Sequence, residues 1–268
     1  MLEAVYNFLL EYKEVLSSLS SLAVIITTIF VAIQARLFFN DYRKRNKKEE
    51  FSKSFELTKF YTSIILPRMP KIQKLYELCD VTNKVKSISP KNINHFDKEE
   101  CSEFINLDEF CKELNEINQK PIEQILPLYA QFANISISKA YMDFYRYGAL
   151  ISEHDNREKL LGEYKTNLCN FIIGELSVAA NDLEYFSMFF NSNLAESEVV
   201  YESLHQTFLA YVRLLYPVIS HANTRSDYSK KYYTHIRDLY SLWSKKEGKK
   251  ESQQALVFDK LRGINPKI

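Results

Sequence analysis

From Val15 to Ala35 the chain reads VLSSLSSLAVIITTIFVAIQA, without one charged side chain. A helix rising about 1.5 Å per residue over that length covers a hydrocarbon core of about 30 Å, so the pattern predicts a single membrane-crossing helix. Ser17, Ser18, Ser20, Ser21, Thr27 and Thr28 dilute the run, but their hydroxyls can bond back to helix carbonyls. The competing reading is a soluble helix covered by protein. Upstream, Leu2, Val5, Tyr6, Leu9 and Leu10 share one face of an amphipathic segment. Glu3, Glu11 and Glu14 oppose Lys13 there, which is not the positive flank of a cleaved export signal, so an anchor is expected.

The polar residues after the span give it a direction. Arg36, Arg43, Lys44, Arg45, Lys47 and Lys48 are opposed only by Asp41 before Glu49. Such a cluster resists translocation and suits an anionic inner leaflet. The expected topology is an extracytoplasmic N-terminus with a cytoplasmic C-terminal domain. Phe38, Phe39 and Tyr42 lie where aromatics occupy a headgroup boundary. Because residues 1–66 contain neither Gly nor Pro, a helix continuing to 55–60 is predicted, with Pro67 and Pro70 as its stop.

Beyond the prolines the apolar spacing is helical. Residues 71–80 form one expected helix, the polar stretch 82–98 a mobile loop or hairpin, and 98–118 an acidic helix. Pro121 fits the first turn of the next helix, and Pro127 threatens a kink within it. The apolar run 128–151 could suggest a second membrane helix, but Pro121–Ser138 is broken by Glu123, Gln124, Pro127, Gln131 and Asn134, so a buried soluble helix is expected. Asp155 and Glu158 have the spacing of an N-cap and third-position acid before a helix over Leu160–Phe190. Further helices are expected over 199–219, ending near Pro217, over 228–245 with Gly248 at the exit, and over 251–261. The expectation is an all-α chain, with a membrane anchor and basic collar over 1–50 and a cytoplasmic bundle of five or six helices over 51–268.

Composition sharpens this picture. Eighteen Tyr and eighteen Phe against five Gly favour long helices with few turns and aromatic seams. Cys79, Cys101, Cys111 and Cys169 form no close-spaced metal motif and read as buried small hydrophobes in a reducing compartment. The formal net charge is +1, so nucleic acid is not indicated as a partner by the overall field. The charge is nevertheless uneven. Residues 97–116 carry eight acids against two lysines, and residues 225–250 eight bases against three acids. These regions can pair with each other, form separate binding faces, or be solvated helix surfaces.

Candidate chemistry is sparse. Glu202 and His205 share a helix face, which is half of a bundle metal site with no second Glu-x-x-His to complete it. His221 and His235 flank a helix boundary with Arg225 nearby, the raw material for proton exchange beside a phosphate. Gly-rich nucleotide loops, His-Glu-x-x-His and Gly-x-Ser-x-Gly do not occur, and no cofactor is expected. The stretch Ile33-Gln34-Ala35-Arg36 through Arg43-Lys44-Arg45, followed by Phe51 and Phe55, resembles bacterial and phage-associated proteins with one membrane helix and a cytoplasmic helical domain. That resemblance implies an accessory or effector role in phage defence and transfers no catalytic residue. The function expected is a membrane-tethered interaction or effector protein whose partners are the lipid bilayer and a protein or a second copy. The alternative is a tethered hydrolase or nuclease using the C-terminal histidines.

Overall fold

The order of apolar positions is carried by helices throughout. The structure, a computed structural model, describes residues 34, 36–38, 40–41, 44–89, 93–195, 197–224 and 231–261. Among these every regular element is helical and no strand occurs. No helix among them is long and apolar enough to cross a membrane. The anticipated membrane helix over Val15–Ala35 lies outside the described residues, Gln34 excepted.

The chain divides into two units, Met1–Phe51 and Ser52–Ile268. In the first, the described residues are helical. In the second, α1 (52–60) passes into a π-helical turn, Tyr61–Ile65, a 3-10 turn, Leu66–Arg68, and then α2 (Met69–Leu78). Pro67 and Pro70 therefore do not stop the helical path as anticipated. Each falls in the first turn of its segment, where its missing N–H has no partner to lose. The polar stretch anticipated as a loop contains α3 (Thr82–Lys86), and the acidic helix is two, α4 (Lys98–Ser102) and α5 (Leu107–Asn115). Asp97 and Asn106 cap these two by accepting from Glu100 N and Glu109 N.

After a 3-10 turn at Glu116–Gln119 come α6 (Ile122–Phe132), α7 (Ile137–Leu150), α8 (Arg157–Asn191), α9 (Ser197–Thr224) and α10 (Thr234–Leu261). Pro121 caps α6 as its fixed φ allows, and Pro127 lies inside it. A proline at 127 withholds an N–H from the Glu123 carbonyl. The Tyr141 hydroxyl of α7 donates to that carbonyl at 3.2 Å. The cap expected at Asp155 is not formed. Asn156 precedes α8 instead and makes no side-chain capping bond. α9 continues through Pro217, where tertiary burial outweighs the local preference of the proline, and α10 continues through Gly248, which is exposed.

The core is centred on α8, α9 and α10. Along α8, Leu168, Ile172, Leu176, Ala179, Leu183, Phe186 and Phe190 are buried at intervals of three or four, the signature of one inward stripe. Trp243 of α10 is fully buried, with ring centroids 4.8 Å from Phe208 and 6.0 Å from Phe190. Tyr61 stacks obliquely on Phe186 at 4.9 Å and so joins the π turn to this cluster. Arg68 is held by Asp182 and, at 3.7 Å, by Glu175, which fastens the 3-10 turn to α8.

One acid is inside. Glu100 is 7% exposed, and its carboxylate accepts from the backbone N–H groups of Asn94 at 2.5 Å, His95 at 3.0 Å and Phe96 at 3.0 Å. The Tyr216 hydroxyl of α9 donates to the same group at 2.8 Å. A buried carboxylate is tolerable only with such donors. Burial and the neighbouring carboxylate together push the Tyr216 phenol upward, so it remains a donor. Glu100→Gln keeps the shape but turns an amide N–H₂ against these donors. We expect a loss of about 2–3 kcal/mol in urea denaturation followed through the sole tryptophan, Trp243. An unchanged midpoint would show the charge to be incidental.

Candidate functional site

On α9 the residues Gln206, Leu209 and Arg213 recur at intervals of three and four, and on α10 Tyr240, Ser241, Ser244 and Lys245 form a facing row. Between the rows, closed by Ile93 and Asn94, lies a cleft of about 690 Å³. That volume is in the range of small-molecule sites. Its lining is unusually polar, with hydroxyls, amides and the charged groups Arg213, Lys245 and Glu247. A second cavity, of about 380 Å³, opens between α2, α3 and α9 beside Tyr76, Thr82 and Lys86. Arg213 lines both.

Arg213 is chemically distinctive. Its Nε is buried without a hydrogen-bond partner, and the guanidinium makes no ion pair among the described residues. Thr82 Oγ1, in the wall of the smaller cavity, is also buried and unpartnered. Pro217, four residues on, has no N–H for the Arg213 carbonyl. The Tyr76 hydroxyl serves the next carbonyl, Leu214, at 3.0 Å. Burial pushes the Tyr240 phenol up to about 12, against the lowering influence of Arg213, so at neutral pH this wall presents a neutral phenol beside a fixed cation.

The residues singled out from sequence do not gather here. Glu202 is engaged by Lys250 at 2.8 Å, and His205 Nδ1 meets the Tyr201 carbonyl at 2.6 Å while its ring stacks on Tyr201. His221 Nδ1 faces Cys111 Sγ of α5 at 3.5 Å. His235 opens α10, where its N–H donates to Glu184 at 3.1 Å and its carbonyl accepts from Asn191 at 2.9 Å. The two histidines are thus held against different helices, and Arg225 lies outside the described residues. Among the described residues no group of three His, Cys, Asp or Glu is placed to hold a metal ion.

The acidic and basic stretches meet through Lys231 and Asp97 at 3.5 Å. Other members pair elsewhere: Lys84 with Glu109 and Glu113, Lys246 with Glu198, and Lys250 with Glu202. Exposed pairs of this kind contribute about 0–1 kcal/mol each.

A different surface stands out on α7. The helix buries only Ala140, while Met142, Tyr145 and Leu150 are 61%, 67% and 73% exposed. Phe144 and Tyr147 turn the opposite way and pack on Tyr164 of α8, at 5.9 and 4.7 Å. Sequence reasoning treated this whole run as packing material. It also passed over Arg213, although Arg213 is the one charged residue between Phe208 and Ser220, which was the available signal. No protein-family model matches the chain, and comparisons with curated proteins and with solved structures give no match.

Three thiols report on the core. Burial raises Cys79 and Cys101 to about 12 and Cys169 to about 11, from an ordinary value of 9.0. An acid whose folded pKa is raised stabilises the fold while neutral, and that contribution is lost as pH climbs above the unfolded value. Stability should therefore fall from about pH 9 upward, by at most about 1.4 kcal/mol per group and pH unit. At pH 8, iodoacetamide should label the half-buried Cys111 first and reach the other three only after unfolding. Equal labelling of all four in the native state would contradict this burial.

Proposed function

We propose that the chain is a membrane-tethered helical interaction protein, with residues 1–50 as the anchor and the helical unit as the presenting body. The observation that carries the interaction reading is the outer face of α7, where a sulfur side chain, an aromatic ring and a leucine face water along a helix whose other side is packed. Met and Tyr are residue types that dominate protein interfaces, and a soluble surface gains nothing from clustering them. The tether rests on the uncharged run Val15–Ala35 and the bases that come after it. On the resemblance of that region, the setting is accessory or effector work in bacterial phage defence.

The full chain, expressed in a bacterium, should stay with the membrane through an alkaline carbonate wash, and a reporter fused after Lys48 should be active only in the cytoplasm. A photo-crosslinking residue at Tyr145 should give one discrete adduct, a second copy or a partner protein by mass. The adduct should be lost on Met142→Glu and absent from the equally exposed position Lys159. Recovery in the aqueous fraction would remove the tether, and indistinguishable adducts from both positions would remove the interface.

A further inference from the structure

We propose that the cleft between α9 and α10 is a binding site for a small anionic metabolite rich in hydroxyl groups, of the sugar-phosphate or sugar-acid class, with its anionic group on Arg213. The inference is independent of the membrane tether and of the α7 surface.

Three observations carry it. The first is Arg213 itself. A guanidinium offers donors in a planar fork that matches a carboxylate or phosphate edge to edge, and desolvating one of its nitrogens without a partner costs free energy. Here Nε is buried and unpartnered at the edge of a cavity. The fold does supply carboxylates to another partly buried arginine, Arg68, through Asp182 and Glu175. Arg213 has no ion pair among the described residues and lines the cleft, so an incoming anion would supply there the opposite charge that those acids supply to Arg68.

The second observation is the composition of the cleft away from that cation. Ser241 and Ser244 on α10 and Gln206 on α9 line it with hydroxyl and amide groups, the Ser244 hydroxyl donating to the Ser241 carbonyl at 3.3 Å and keeping its oxygen as an acceptor, which suits a polyhydroxylated body. Lys245 adds a second cation, and Lys249 continues the basic row one turn further along α10. Glu247 is the one carboxylate of the lining. It accepts from ligand hydroxyls, and it disfavours a ligand with anionic groups at both ends.

The third is rigidity. Asn94 donates its backbone N–H to Glu100 at 2.5 Å, and Tyr240 is fixed by Phe96, 5.6 Å between centroids. Both walls are thus set before a ligand arrives, which lowers the ordering cost of binding.

The test titrates the purified full chain, in detergent, with glucose 6-phosphate, gluconate, glucose and inorganic phosphate. It reads Trp243 emission, about one helical turn from Tyr240 and next to Ser244 in sequence, together with the melting temperature. Glucose 6-phosphate or gluconate should bind saturably and raise the melting temperature, with glucose at least tenfold weaker. Arg213→Met should abolish the response, and its ligand-free melting temperature should equal or exceed that of the parent, because no internal partner is lost. Ser244→Leu, which fills the cleft from the opposite wall, should abolish the response with Arg213 intact. The proposal is overturned if neither anion binds saturably at millimolar concentration, if inorganic phosphate alone accounts for the response, or if either variant binds as the parent does.

Discussion

A carboxylate cannot sit among aromatic rings unless something donates to it, and the placement of Glu100 dictates much of the surrounding geometry. Three consecutive backbone N–H groups and the Tyr216 hydroxyl converge on it. To converge, the chain at Asn94–Phe96 must curl, and Phe96 adopts a left-handed φ of 56°. The curl drives the Phe96 ring between Tyr216 and Tyr240, edge-on to both at 5.4 and 5.6 Å. It also aims the Phe96 carbonyl at Asn223, whose own side-chain oxygen accepts from Tyr232 N at 2.7 Å. One buried charge thereby fixes where α9 leaves off and α10 begins, and with them the separation of the two rows that form the cleft.

The long helices tolerate features that local rules would forbid. A proline in a helix interior costs about 3 kcal/mol, which an isolated helix could not sustain. α9 sustains it because Val212, Leu215, Tyr216 and Ile219, on either side of Pro217, are fully buried against neighbouring helices. The freed carbonyls are treated differently in the two proline-bearing helices. In α6 a tyrosine from α7 satisfies Glu123. In α9 the equivalent carbonyl belongs to Arg213, and the nearby tyrosine bonds Leu214 instead.

This explains which parts of the structure were legible in the sequence. Helix class and the main apolar stripes were, because a spacing of three or four in residues such as Ile172, Leu176, Ala179 and Leu183 has one geometric meaning. Pro121 was legible as the mark of a helix start, although it stands as the N-cap before Ile122 and not in the first turn. Glu100 was not, because it belongs to an acidic run whose other members, such as Asp108 at 77% side-chain exposure, do face water. Nothing in spacing marks which acid will meet three N–H groups from an irregular loop. Pro217 misled for a related reason: its effect is local, and the burial that overrode it comes from distant segments. The histidines attracted attention as titratable side chains, yet the His205 ring is engaged by the Tyr201 carbonyl and by stacking on Tyr201, and the His235 ring faces the Asn191 amide.

Arginine offers the sharper contrast. Arg68 and Arg213 are both partly buried and both stand close to a proline, Pro67 and Pro217. Around Arg68 the long α8 brings Glu175 and Asp182, two turns apart, to one guanidinium. Around Arg213 the nearest elements bring serines, amides and phenols, with the acids Glu77 and Glu247 in the walls but neither bonded to it. A chain with 34 acidic residues had ample material to neutralise this cation. Leaving it open costs stability at a site where the backbone ladder is already broken by Pro217. Proteins retain such costs at places where binding requires them, and the cleft beside Arg213 has the volume and the hydrogen-bonding walls to be one.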